Sequence, residues 1–137
     1  IKTHAPQEAA QLTTRLAHYE NEEAHLATAV RALADGDSAG FGQAVSASQA
    51  GAEELLDNQV PETVALARLA REHGAVAASA FGAGFGGCVW ALTPTAGADA
   101  FEQAWAAAYH EFFPQRRQAS RFLRSGAGPA AFELTRA

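Results

Sequence analysis

Four glycines fall within six residues at positions 82–87, in the run Gly-Ala-Gly-Phe-Gly-Gly between two short apolar segments. Glycine adopts positive φ at little steric cost and lets another backbone or a ligand come close, so this run suits neither a helix nor a regular strand. The preceding segment, 75–81, is made of small and apolar residues, and the following segment, 88–92, is apolar and bounded by Thr93-Pro94, as a buried strand is. The region predicts two strands joined by a tight loop.

Two functions are open for this loop from its residue types alone. Successive backbone N–H groups can form an anion-binding nest, which would suit a phosphate or a sugar hydroxyl. No Lys-Ser or Lys-Thr follows Gly87, which excludes a Walker A loop, and a strand stands where a dinucleotide fingerprint needs a helix. The alternative is that the glycines only make a tight, twisted connection between two strands.

Three helices are predicted before the first strand. Over 7–34 the apolar residues recur at spacings of three, four and seven, which predicts one long helix with a single packing stripe. Gly36 ends this helix, Asp37 or Ser38 caps a second one, and Pro61 starts a third that stops at Gly74. The stripe of the first helix comprises Leu12, Leu16, Tyr19, Leu26, Val30 and Leu33.

The second half of the chain predicts a fourth helix over 98–113, ended by Pro114. Short strands are predicted at 121–123 and, after the Gly-Ala-Gly-Pro break, at 131–134. This order of elements indicates an α+β fold with helices packed on one face of an antiparallel sheet. The aromatic residues predicted to lie in the core are Trp90, Phe101, Trp105, Phe112 and Phe113.

Composition narrows the class of protein. The 137 residues are 48 % hydrophobic and 18 % charged, as expected for a single globular domain over 1–137. A formal net charge of −5 argues against binding to nucleic acid or to an anionic membrane, and no apolar run is long enough to span one. Cys88 is the only cysteine, which excludes an internal disulfide and favours a cytoplasmic location.

The segment 77–92, read as AASAFGAGFGGCVWAL, resembles the third signature of the galactokinase branch of the GHMP kinases, named for galactose, homoserine, mevalonate and phosphomevalonate. The resemblance continues through Phe41-Gly42, the region of Ser48, Leu55 and Pro61-Glu62, and spans roughly 19–134. It implies a ferredoxin-like C-terminal domain that packs on its own N-terminal domain. It also implies an ATP- and Mg²⁺-dependent transfer of phosphate to a sugar hydroxyl.

The same resemblance places the loop in the wall of the active site, near the substrates. The residues so assigned are Gly82, Ala83, Gly84, Phe85, Gly86 and Gly87. Typical galactokinases carry a basic residue and a hydroxyl residue where Ser79 and Phe81 stand, and usually a histidine where Gln49 stands. Which sugar is used therefore stays open, with arabinose as a competitor to galactose.

The sugar signature, the serine-rich phosphate loop and the catalytic aspartate of this family would all precede Ile1. Because the chain also has no methionine, we predict that it is the C-terminal portion of a longer protein. No residue matches the catalytic base, so the isolated chain is expected to show no turnover and to hold no cofactor tightly. The alternatives from other classes are a sugar or nucleotide sensor without activity, and an interaction module that uses the two helices before Asn58.

Other chemistry-bearing residues are predicted to have structural roles. His18, Glu22 and His25 lie at helical spacings of four and three, which could present a metal site. They fall beside the apolar stripe and lack further ligands, so a solvated flank is predicted instead. Cys88, at the start of an apolar strand, is predicted to be a small buried residue and not a nucleophile.

Overall fold

The computed structural model describes residues 6–126 and 128 of the chain. Three helices come first, α1 (Pro6–Asp35), α2 (Ser38–Glu54) and α3 (Pro61–Glu72), followed by strands β1 (Ala77–Phe81) and β2 (Cys88–Leu92), helix α4 (Ala98–Phe112) and a 3-10 turn (Pro114–Arg116). Four helices thus combine with a small two-stranded antiparallel sheet, on which α2 and α3 pack, and this confirms the predicted α+β class. None of the helices described is both long and apolar enough to cross a membrane.

The helix ends lie where the capping residues predict them. Gly36 leaves α1 with φ of 70°, a left-handed conformation that glycine adopts without a steric penalty. The Asp37 carboxylate then accepts a hydrogen bond from the backbone N–H of Gly40 at 2.9 Å, which caps α2. Pro61 occupies the first turn of α3, and Gly74, with φ of 97°, follows its end.

Strand β1 is held closely between its neighbours. It pairs with β2 from Ala77 opposite Leu92 to Phe81 opposite Cys88, and α2 and α3 both contact it. The amide of Gln49, which is 1 % exposed, accepts hydrogen bonds from the Ala80 N–H at 2.8 Å and the Ser79 hydroxyl at 2.9 Å. A polar side chain of α2 thereby satisfies a backbone donor of the strand.

A second packing centre lies between α3 and α4. Leu69 and Tyr109 are its most buried large side chains, at 3 % and 4 % exposure, and Trp105 packs against them. The Trp105 indole N–H also donates to the Leu66 carbonyl at 2.9 Å. The prediction that Phe112 lies in the core is wrong, because its ring is 59 % exposed with the Arg68 guanidinium 5.1 Å from its centre.

Helix α1 presents its apolar stripe to solvent, which contradicts the prediction that this is the packing side. α1 packs on α2 through a different face, which carries the buried residues His18 and Ala32. Small and polar side chains allow this close approach of the two helices. The six stripe residues are all between 53 % and 65 % exposed: Leu12, Leu16, Tyr19, Leu26, Val30 and Leu33.

The segment after the 3-10 turn forms no strand at 121–123, so that prediction is wrong. Side chains hold the segment on α4 in place of a backbone ladder. The Phe122 ring stacks edge-on against Trp105 with 5.0 Å between ring centres. Arg124 forms ion pairs with Asp99 and Glu102. The strand predicted at 131–134 lies outside the described residues.

Candidate functional site

The loop between β1 and β2 adopts the left-handed backbone conformations that its glycines predict. Gly82, Gly84, Gly86 and Gly87 have φ of 87°, 84°, 116° and 96°. Phe85 also lies in this region, with φ of 60°, and its side chain is 75 % exposed. An L-residue with a bulky side chain rarely adopts this conformation, so tertiary contacts must hold Phe85 there.

Asn58, in the connection from α2 to α3, supplies those contacts. Its backbone carbonyl accepts a hydrogen bond from the Phe85 N–H at 2.5 Å, and its side-chain amide donates to the Ala83 carbonyl at 3.1 Å. A Cβ atom on Gly84 would collide with the Asn58 carbonyl oxygen. Glycine is therefore required at position 84 by contact as well as by conformation.

Sequence reasoning did not select Asn58 as a site residue. Asparagine is common in connections between helices, and 25 residues separate it from the loop that it holds. No local pattern relates two positions so far apart in the chain. Only the folded backbone shows that Asn58 is a positioning residue for the loop.

A cavity of about 290 Å³ lies beside the loop. Arg116 donates to the Glu62 carboxylate at 2.9 and 2.7 Å from two guanidinium nitrogens, which holds the pKa of Glu62 below its usual value. Burial raises the pKa of Tyr109, and the negative charge of Glu62 adds to this. The cavity is lined by Val60, Glu62, Thr63, Leu66, Phe85, Gly86, Gly87, Tyr109 and Arg116.

The chemistry available at this loop comes from its backbone. Its six residues are glycine, alanine and phenylalanine, so they can contact a ligand through N–H and C=O groups and cannot exchange a proton with it. Arg116, the guanidinium lining the neighbouring cavity, is already paired with Glu62. The arrangement can therefore position an anion or a hydroxyl, but the loop itself supplies neither an acid nor a base.

The structure gives His18, Glu22 and His25 a different environment from the predicted solvated flank. His18 is buried at 7 % exposure, while Glu22 and His25 line a cavity between α1, α2 and the sheet. The prediction is wrong because the side of α1 that packs on α2 is the polar one. Over the described ranges, no group of three His, Cys, Asp or Glu residues could hold a metal ion.

Cys88 is exposed, which contradicts the predicted buried role. It is the first residue of β2 and pairs with Phe81, next to the loop. Trp90, two residues further along β2, is partly buried and contacts Phe41 with 6.5 Å between ring centres.

Comparison with known proteins agrees with this architecture. Residues 29–111 match the family model for the C-terminal region of GHMP kinases, while no curated protein matches the chain. Among solved structures, the galactokinase of Lactococcus lactis, determined in complex with galactose, is similar at a TM-score of 0.63 and 31 % identity over 66 % of this chain. The chain spans 24 % of that galactokinase. The chain belongs to the GHMP kinase superfamily and represents its C-terminal domain.

Proposed function

We propose that this chain forms the glycine-loop wall of a galactokinase-like sugar kinase, which transfers the γ-phosphate of ATP to a sugar hydroxyl. The observation that carries the proposal is the loop at 82–87. Five of its residues have positive φ, and Asn58 fixes the loop by two hydrogen bonds. A connection that only had to reverse the chain would need neither this anchor nor six residues.

A loop that offers backbone groups to the substrate is suited to phosphoryl transfer. The reaction depends on holding donor and acceptor in line and on neutralising charge, and it asks for little covalent chemistry from the protein. A fixed loop without long side chains lets a substrate come close to peptide N–H groups. The match to a galactokinase solved with galactose favours a sugar as the acceptor.

The remaining parts of such a site would come from outside this chain. We propose that ATP, Mg²⁺ and sugar are bound by the complete protein, with the chain's own N-terminal domain as its partner, and that the 137-residue chain alone is inactive. The loop offers no catalytic base. The free, exposed thiol of Cys88 fits a reducing compartment such as the cytoplasm.

The test is ATP consumption by the complete protein that contains this sequence, with the 137-residue chain assayed alongside it. The acceptors are galactose, arabinose, glucuronate, mevalonate and homoserine. We expect turnover on one sugar, by the complete protein only. If the folded protein binds sugar or ATP but consumes no ATP with any acceptor, the kinase proposal is wrong and a sensor of the same fold is favoured.

A further inference from the structure

A series of three side-chain hydrogen bonds leads from the first turn of α3 to the glycine loop. The Thr63 hydroxyl donates to the side-chain oxygen of Gln59 at 2.9 Å. The side-chain nitrogen of Gln59 donates to the side-chain oxygen of Asn58, also at 2.9 Å. The side-chain nitrogen of Asn58 in turn donates to the Ala83 carbonyl at 3.1 Å. Each side chain therefore orients the next, and the last bond of the series holds the loop.

The direction of this series is set at Thr63, whose side chain is 1 % exposed. Its hydroxyl oxygen accepts a hydrogen bond from the Val60 N–H at 3.2 Å, and the Gln59 oxygen is the nearer of the two oxygens to which it can donate. Because the Gln59 oxygen is bonded to Thr63, only the NH₂ group of Gln59 can donate to Asn58. The Asn58 amide is thereby turned with its oxygen towards Gln59 and its NH₂ group towards the loop.

Backbone strain lies on both sides of this contact between Asn58 and the loop. In the part of the chain that the structure describes, two residues other than glycine have positive φ. One is Asp57, with φ of 51°, directly before Asn58, and the other is Phe85, with φ of 60°, in the loop. Such conformations persist where the surrounding contacts impose them, and they are common at functional sites. The hydrogen bonds of Asn58 are therefore the ones that must hold this strained geometry.

We propose that Gln59 is a positioning residue of the kinase site and acts on the glycine loop through Asn58. The proposal rests on the function proposed above, because it requires that the loop lies against the substrates. Without the Gln59 donor, the Asn58 amide is free to turn its oxygen towards the Ala83 carbonyl, where the two oxygens repel each other and the loop shifts. The substrates would still bind but would lose their alignment, so kcat should fall by a larger factor than KM rises.

The first measurement needs no kinase activity. NMR follows the exchange of the Phe85 amide hydrogen in the 137-residue chain, because this N–H is bonded to the Asn58 carbonyl. Gln59→Glu keeps an oxygen for Thr63 and removes the donor to Asn58, so it should speed this exchange by about three- to tenfold, the value of one hydrogen bond. The matched control is Gln103→Glu, at an exposed glutamine of α4, which should leave the exchange unchanged. An unchanged rate in Gln59→Glu would overturn the proposal.

A double-mutant cycle in the complete protein then tests whether Gln59 acts through Asn58. Gln59→Glu alone should lower kcat about tenfold and change the KM for the sugar by less than about twofold. Asn58→Ala alone should lower kcat at least as much. In the Asn58→Ala background, Gln59→Glu should have little further effect, because the residue that transmits its effect is gone.

Two outcomes of the cycle would overturn the proposal. One is that the losses of kcat from Gln59→Glu and Asn58→Ala multiply, since the two residues would then act independently. The other is an unchanged kcat in Gln59→Glu although exchange of the Phe85 amide is faster. If the complete protein has no kinase activity, the proposed function is wrong instead, and the amide exchange alone decides whether Gln59 holds the loop.

Discussion

Gly84 is the residue at which conformation and contact both forbid a side chain. We expect Gly84→Ala to lower the kcat/KM of the complete kinase by about a hundredfold, because the loop would shift away from Asn58 and misplace the substrates. The measurement is steady-state kinetics with the sugar found to be the acceptor.

Gly97→Ala is the matched control for this prediction. Gly97 has a similar φ of 90°, but a Cβ there would meet nothing within 4 Å, and the residue lies at the start of α4. It shares the conformational strain and lacks the contact with Asn58. Equal losses of activity in the two variants would contradict a specific role for the loop.

Gly42 is fixed by packing, since a Cβ atom there would run into the Val76 carbonyl oxygen of the connection before β1. We expect Gly42→Ala to lower the free energy of unfolding of the chain by about 1–3 kcal/mol, through overpacking against rigid backbone. Urea denaturation measures this change.

Gly51→Ala, in the same helix, is the comparison variant. Its Cβ would approach only the His18 ring, at 3.0 Å, and a ring can shift where a backbone carbonyl cannot. The gain in helix propensity, up to about 1 kcal/mol, should offset that contact. A loss equal to that of Gly42→Ala would show that α2 and β1 are not packed as described.

Single residues also show where sequence reasoning succeeds and fails. The glycines of the loop were predictable because each removes a steric restriction locally. The role of Asn58 was not predictable, since it depends on a partner 25 residues away. The exposure of Cys88 was missed for a similar reason, because the sequence of an apolar strand does not show which of its residues the neighbouring elements cover.

At the level of helices and strands, the local signals were sufficient for most boundaries. Capping by Asp37 and the proline at the start of α3 are interactions within a few residues, so the sequence contains them. A strand needs a partner, and 121–123 has no ladder in the structure. The apolar pattern there reflects Phe122 packing against Trp105.

The link between the start of α3 and the 3-10 turn, formed by Glu62 and Arg116, should make stability depend on pH. The Arg116 hydrogen bonds lower the pKa of Glu62 in the folded chain, so the folded state favours the charged carboxylate. Its contribution is complete above the ordinary carboxyl pKa near 4.5 and is lost as the pH falls through the lowered value.

We therefore expect the wild type to have a higher melting temperature than Glu62→Gln at pH 7. This difference should disappear at acidic pH. At pH 7 the free energy of unfolding of the two proteins should differ by no more than about 1 kcal/mol, because the Arg116 side chain is 53 % exposed. Glu72→Gln removes the carboxylate of a more exposed pair with Arg68 and should give a smaller gap. A gap for Glu62→Gln that persists unchanged at low pH would exclude this ion pair as its cause. Thermal melts monitored by circular dichroism measure both variants.

Over the whole molecule, the exposed stripe of α1 and the centre around Leu69 should respond differently to polar or truncating substitutions. Leu16 is 58 % exposed, so Leu16→Gln should change the free energy of unfolding by less than about 0.5 kcal/mol. Leu69→Ala, at a side chain 3 % exposed, should cost about 2–5 kcal/mol. Comparable losses, measured in dilute solution, would mean that the stripe is covered in the free chain.

The one-sided attachment of α1 has a consequence for how the chain opens. A 30-residue helix that packs on α2 can separate without disturbing the contacts among α2, α3, α4 and the sheet. Its amide hydrogens should then exchange with solvent sooner than those of the much shorter α3, which is packed between β1 and α4. The longest element of the chain would be its least protected, since protection follows the number of partners and not the number of helical turns.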